Sequence, residues 1–291
     1  MNFGQILTAM VTPFNGKNQI DYHKVTELMN YLMTNGSDAL VITGTTGESP
    51  TLTYDEKIAL FKHSVEVADG QYPIIAGTGS NNTEETIQLS KKAEEIGVDA
   101  LLLVTPYYNK PNQAGLYEHF ARIAKNTTLP IILYNIPGRT MVDLNVETIV
   151  SLAEIDNIVA VKESSGDLDA ISTIIEATGQ DFTVYSGDDS LTLPMKAVGG
   201  SGVISVSSHI IGNEMKEMVT KFDAGDVVEA ARLHRQLLPI MQGLFMSPSP
   251  APVKAALRMK GIDVGSVRLP LVPVNEDEEQ MIRDLILPFE D

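Results

Sequence analysis

Eight short apolar runs recur along the chain: ILTAMVT at 6–12, ALVIT at 39–43, PIIAG at 73–77, ALLLV at 100–104, PIILYN at 130–135, IVAVK at 158–162, FTVYSG at 182–187 and GVISV at 202–206. Runs of this length, rich in Ile, Val and Leu, read as strands buried on both faces. Between most of them lie segments with apolar residues at helical spacing. DYHKVTELMNYLMTNG at 21–36 opens on a capping aspartate and closes on a glycine. NTEETIQLSKKAEEIG at 82–97 opens with Asn-x-x-Glu and also closes on glycine. The sequence G-x-D-A-L occurs twice, in NGSDALVI and IGVDALLL, each time where a helical segment gives way to an apolar run.

Strand and helix in regular alternation imply parallel pairing, because parallel neighbours need a crossover connection. Eight such units predict an α/β protein with a closed (β/α)8 TIM barrel. An open doubly wound sheet is the alternative. No Gly-x-Gly-x-x-Gly turn follows the first run, which weakens a dinucleotide-binding form, and GTGSNN at 77–82 is only a weak phosphate-loop lookalike. After about residue 224 the strand pattern stops. DVVEAARLHRQLLPIMQGLF, SPSPAPVKAALRMKG and EDEEQMIRDLIL all have helical period. The expected organisation is a catalytic barrel over 1–223 and a C-terminal helical domain over 224–291.

Bulk properties exclude several classes of function. The 291 residues carry a net charge of −17, with no basic run of the kind nucleic acid requires. No stretch approaches about 18 consecutive apolar residues, so no membrane span is expected. MNFGQILTAMVTPF has no basic leader region, and a cytoplasmic location is expected. With no cysteine there is no disulfide, thiolate metal site or cysteine nucleophile. His23, His63, His119, His209 and His234 do not fall at metal-ligand spacing on one element, and no metal is expected.

In such a barrel, function sits where strands end and loops begin. TGTTGES (43–49), TPYYNKP (105–111), YNIPGRT (134–140), Lys162 and SGDD (186–189) all fall at those ends. The glycines of GTTGES let backbone approach a ligand, and successive N–H groups suit an anion. A tyrosine hydroxyl at Tyr134 can pass protons, and Arg139 can grip a carboxylate with its fork. A lysine ending an apolar strand is ordinarily a boundary residue snorkelling to water. Lys162 in the mouth of a barrel, with hydroxyls and an anion nest around it, is instead equipped to attack a carbonyl. A keto acid would be held by its carboxylate, and a hydroxyl relay would help water leave the carbinolamine. This is Schiff-base aldol chemistry, complete without a cofactor.

GTTGES, TPYYNKP, YNIPGRT and VKESSGD, in this order and spacing, resemble the pyruvate-dependent aldolase superfamily of N-acetylneuraminate lyase and dihydrodipicolinate synthase. The resemblance runs from about residue 4 to the C-terminus and is closest to the dihydrodipicolinate synthase family. The sialic-acid lyases typically carry serine in place of Thr45 and lack an arginine matching Arg139. The resemblance implies that Lys162 forms the Schiff base with pyruvate, while Tyr134, Thr45 and Tyr108 relay protons. It implies that Thr46 binds the pyruvate carboxylate, Arg139 binds L-aspartate 4-semialdehyde, and Gly187 and Ile204 line the pyruvate pocket. It further implies a homo-oligomer, a dimer at least, because the matching Tyr108 reaches a neighbouring subunit's site. The implied reaction is the first committed step toward diaminopimelate and lysine.

Some relatives are inhibited by lysine between subunits. Ser49, Asn81, Glu85 and Tyr107 match that site, but Tyr54 and Lys57 stand where lysine-sensitive relatives carry histidines. A cation at Lys57 would repel a cationic effector, so weak or absent feedback is expected. Two other functions stay open at this level. One is a sister enzyme acting on another keto acid or a sugar acid, which Arg139 disfavours. The other is a silent keto-acid sensor, which the intact set of Lys162, Tyr134, Thr45, Tyr108 and Arg139 disfavours.

Overall fold

A computed structural model describes residues 3–289. The eight apolar runs form strands β1 (Ile6–Ala9), β2 (Ala39–Ile42), β3 (Ile74–Gly77), β4 (Ala100–Val104), β5 (Ile131–Asn135), β6 (Ile158–Glu163), β7 (Thr183–Ser186) and β8 (Gly202–Ser205). They pair in parallel and in chain order, and β8 closes on β1 to complete the barrel. Only β4 keeps the bounds of its apolar run; five others are trimmed by one or two residues, and the ends of β1 and β6 have identifiable causes. β1 stops at Ala9, because Pro13 lies just ahead and Thr12 turns its hydroxyl to the Gly47 carbonyl at 2.6 Å. β6 runs one residue past Lys162, because Glu163 still pairs with Asn135 and Ser186.

Side chains alternate between two apolar layers. Leu7, Val41, Ile75, Leu102, Ile132 and Tyr185 fill the barrel interior. Ile6, Leu40, Ile74, Leu101, Leu133 and Val161 point outward against the helices. Burying each such aliphatic side chain contributes about 2 kcal/mol. The surrounding helices begin where the sequence places caps. Asp21 accepts from the Lys24 N–H at 3.2 Å ahead of Tyr22–Thr34. Asn82 accepts from Glu84 and Glu85 ahead of Thr83–Ile96, which ends at left-handed Gly97.

The repeated G-x-D-A-L has a physical basis. Asp38 accepts from the N–H groups of Gln5 and Ile6 at 2.7 and 3.0 Å, and Asp99 accepts from Ile74 at 2.7 Å. Each aspartate, placed just before its own strand, thus satisfies backbone donors at the entry of the preceding one. Beyond the barrel helix Ser208–Asp223 come helices Val227–Gly243, Ala251–Met259 and Glu276–Ile286. Among the described residues no helix is long and apolar enough to cross a membrane.

Candidate active site

Tyr134 and Lys162 are direct register partners on β5 and β6. Each follows an outward-facing residue, Leu133 or Val161, and so falls on the inward side of its strand. Lys162 is only 5% exposed, and its Nζ lies 4.3 Å from the centre of the Tyr134 ring. One residue further along each strand, Asn135 donates through Nδ2 to Glu163 Oε2 at 3.0 Å and to Asp143 Oδ1 at 2.8 Å. Glu163 Oε1 also accepts the Ser165 N–H at 2.6 Å. Burial pushes the Glu163 carboxyl above its ordinary pKa, and the hydrogen bonds only partly oppose that. This polar clasp pins the two strands immediately beside the Tyr134–Lys162 pair.

Gly187 follows β7 and donates its N–H to the Glu163 carbonyl at 2.8 Å. A Cβ there would lie 1.8 Å from Ser164 Oγ and 2.9 Å from Lys162 Cε, so the lysine stem needs a residue without a side chain at this position. Ile204 is buried in the interior layer on β8, where it pairs with Leu7.

The loop after β2 bears Thr45 and Thr46. It is flanked by two non-glycine residues in left-handed conformation, Thr43 (φ 58°) and Glu48 (φ 59°). Its turn closes through Glu48 N–H to Thr45 C=O at 3.0 Å and Ser49 N–H to Gly44 C=O at 3.3 Å. Neither bond uses the N–H of Thr45 or Thr46. Thr46 is buried, whereas Thr45 is exposed at a cavity of about 250 Å³. The cavity is lined by Thr45, Tyr134 and Arg139, and also by Tyr107, Ser49 and Lys57. Arg139 stands on the single turn Pro137–Thr140 after β5, exposed to that cavity. Lys162 is not part of the cavity wall; it touches Tyr134, which is.

Tyr108 stands apart from this cluster. It is 89% exposed, has a left-handed φ of 74° and lines no part of the cavity. The structure also brings in residues that the sequence reading did not single out. Thr43 donates from Oγ1 to the Gly77 carbonyl at 2.8 Å. Gly77 and Gly79 line the cavity, and both must be glycine because a Cβ would come within 2.6 Å of Thr43 O and 2.5 Å of Val104 N. The glycines of GTGSNN therefore serve close backbone packing. Among the described residues no group of three or more His, Cys, Asp or Glu is placed to hold a metal ion.

A buried lysine at the carboxyl end of the sixth strand, against a tyrosine and beside an open mouth, defines a barrel of the lysine-dependent aldolase class. The chain belongs to the Dihydrodipicolinate synthetase family, whose model matches residues 2–287. It is 59% identical to the 4-hydroxy-tetrahydrodipicolinate synthase of Bacillus velezensis, over 98% of this chain and 99% of the relative. The crystal structure of a dihydrodipicolinate synthase from Bacillus anthracis superposes with a TM-score of 0.97 at 56% identity, covering 99% of this chain and 98% of that one. A chloride-inhibited dihydrodipicolinate synthase from Acinetobacter baumannii, solved as a complex with pyruvate, matches with a TM-score of 0.95 at 40% identity, covering 98% of each chain.

Proposed function

We propose that this chain condenses pyruvate with L-aspartate 4-semialdehyde to give 4-hydroxy-tetrahydrodipicolinate, in diaminopimelate and lysine biosynthesis. The observation that carries the reading is the buried Lys162 Nζ held 4.3 Å from the ring of Tyr134, which lines one cavity with Thr45 and Arg139. Lys162 attacks C2 of pyruvate, and the carbinolamine loses water to form an imine. Loss of a proton from C3 gives the enamine, which attacks the aldehyde carbon of the second substrate and forms the C–C bond. The amino group of that substrate then adds to the imine carbon and displaces Lys162, closing the ring. One water is lost overall.

Each step moves protons, and the hydroxyls of Tyr134 and Thr45 are the groups at hand for the relay. Thr46 holds the keto acid's carboxylate, and Gly187 and Ile204 bound the pocket around its methyl group. Arg139, which makes no ion pair among the described residues and lines the cavity, holds the semialdehyde's carboxylate. Tyr108 completes the relay in a neighbouring subunit, so the active form is a dimer at least. Its near-total exposure and left-handed backbone suit a residue whose contacts lie outside its own chain.

The deciding experiment is borohydride reduction in the presence of pyruvate, followed by peptide mass analysis and a turnover assay. Attachment at Lys162 with rapid consumption of the semialdehyde, and none of N-acetylmannosamine, is expected. Turnover with the sugar alone would keep the Schiff base but overturn the role given to Arg139.

A further inference from the structure

The C-terminal helical segment reaches back to the Thr45–Thr46 loop through an ion pair that the reaction does not use. Lys254, on helix Ala251–Met259, lies 2.7 Å from Glu48 Oε1, and the two side chains are 3% and 0% exposed. Lys254 Nζ also donates to the carbonyls of Thr12 and Ser266, both at 2.8 Å, and sits 4.3 Å from the centre of the Phe14 ring. The second oxygen of Glu48 accepts the Arg268 N–H at 2.8 Å. Thr12, whose carbonyl Lys254 grips, donates its own hydroxyl to the Gly47 carbonyl at 2.6 Å. Arg268 donates to the Thr51 carbonyl at 3.0 Å and pairs with Glu56 at 2.6 Å.

The loop is therefore held at Glu48 and Thr51 by chain from the C-terminal segment, and at Gly47 by Thr12, whose carbonyl Lys254 in turn grips. Those anchors follow directly on Thr45 and Thr46. A buried ion pair is a poor source of stability, because desolvating two charges offsets most of their attraction. What it supplies is a tether: neither group can move away without leaving a buried charge unpaired. Glu48 needs such a restraint, since its left-handed backbone is disfavoured for a side chain with a Cβ. Burial also draws the Lys254 pKa down to about 8, which marks how dry the contact is.

We propose that Lys254 and Glu48 are positioning residues that hold the Thr45–Thr46 loop in register with the keto-acid carboxylate. The inference rests on the reading that this loop binds that carboxylate. The test measures pyruvate dependence of borohydride trapping at Lys162, together with melting temperature, in wild type, Lys254→Met, Glu48→Gln and the double variant. Lys196→Met serves as control, because it breaks the Lys196–Asp223 pair, 2.7 Å apart and away from this loop.

Each single variant is expected to raise half-saturating pyruvate about tenfold, from misplacement of the loop. The double variant, with no charge left unpaired, is expected to recover melting temperature but not pyruvate affinity. Lys196→Met is expected to trap like wild type. Wild-type pyruvate dependence in folded single variants, or affinity that returns together with stability in the double, would overturn the proposal. Absence of trapping in wild type would overturn the proposed function itself, and this inference with it.

Discussion

Lys162 and Tyr134 face each other across one register position of β5 and β6, with the amine 4.3 Å from the ring centre. The ring face and the hydroxyl therefore have separable tasks. Phenylalanine keeps the face and the packing but removes the proton carrier. Tyr134→Phe is expected to lower kcat by about 100-fold or more, with melting temperature nearly unchanged. Lys162→Ala is expected to abolish trapping altogether. Steady-state kinetics beside a thermal melt decides the matter, and a Phe variant with wild-type kcat would remove Tyr134 from the relay.

Gly187 gives a second way to separate chemistry from folding. The atoms that a methyl group would strike are the Ser164 hydroxyl and the stem of Lys162, neither of them backbone. The fold can yield there by rotating the Ser164 hydroxyl away and shifting the lysine stem. Gly187→Ala is expected to fold and to lose about 100-fold in activity, because a misplaced nucleophile no longer lines up with the carbonyl. Circular dichroism with a trapping rate measures both halves.

Tyr108 is expected to act only in an assembly. Specific activity should fall on dilution, in parallel with dissociation followed by light scattering or sedimentation. Tyr108→Phe should lower kcat while leaving the chain folded, since a side chain 89% exposed contributes little to packing in its own subunit. Concentration-independent activity of a monomer would exclude the shared relay.

The barrel was legible because buried parallel strands are runs of apolar residues, and eight of them stand out between capped helices. The strand-end motifs were legible for the same reason, since βα loops inherit their position from the strands. Lys162, Tyr134 and Arg139 are read directly from that rule. The ends of β1 and β6 were not, because they depend on contacts such as Thr12 with Gly47 and Glu163 with Asn135. The Lys254–Glu48 pair was invisible in sequence: nothing local in APVKAAL or GTTGES says that the two will meet. Gly77 and Gly79 were readable as glycines, but the carbonyl and N–H that crowd them come from neighbouring strands.

Lysine is expected to inhibit weakly or not at all. Lys57 lines the cavity beside Tyr107 and Ser49, and Tyr54 is half exposed nearby in the same helix. Burial lowers the Lys57 pKa, with Glu85 opposing that shift. A second ammonium group brought to this spot meets a like charge, or displaces the Glu85 interaction that favours it. A lysine titration of turnover should show half-inhibition no lower than the millimolar range. Lys57→His should increase sensitivity if the like charge is the obstacle.

Acid stability is expected to follow two buried imidazoles. His209 accepts the Val11 N–H at Nε2 (3.2 Å) and donates from Nδ1 to the Val206 carbonyl (2.7 Å), a pattern that requires the neutral ring. Burial lowers its pKa to about 4 from 6.5, and His119 is lowered to about 4 for the same reason. Below pH 6.5 the unfolded chain takes up a proton on each ring that the folded chain refuses until about pH 4. Stability therefore falls as pH drops through that window and these rings add no further loss below it, on the order of 3 kcal/mol for each ring. His209→Gln, which has no proton to gain in that range, should melt lower at pH 7 but lose less between pH 6.5 and 4. Unfolding curves of the two proteins across those pH values are the measurement, and equal losses would show that His209 does not carry the acid dependence.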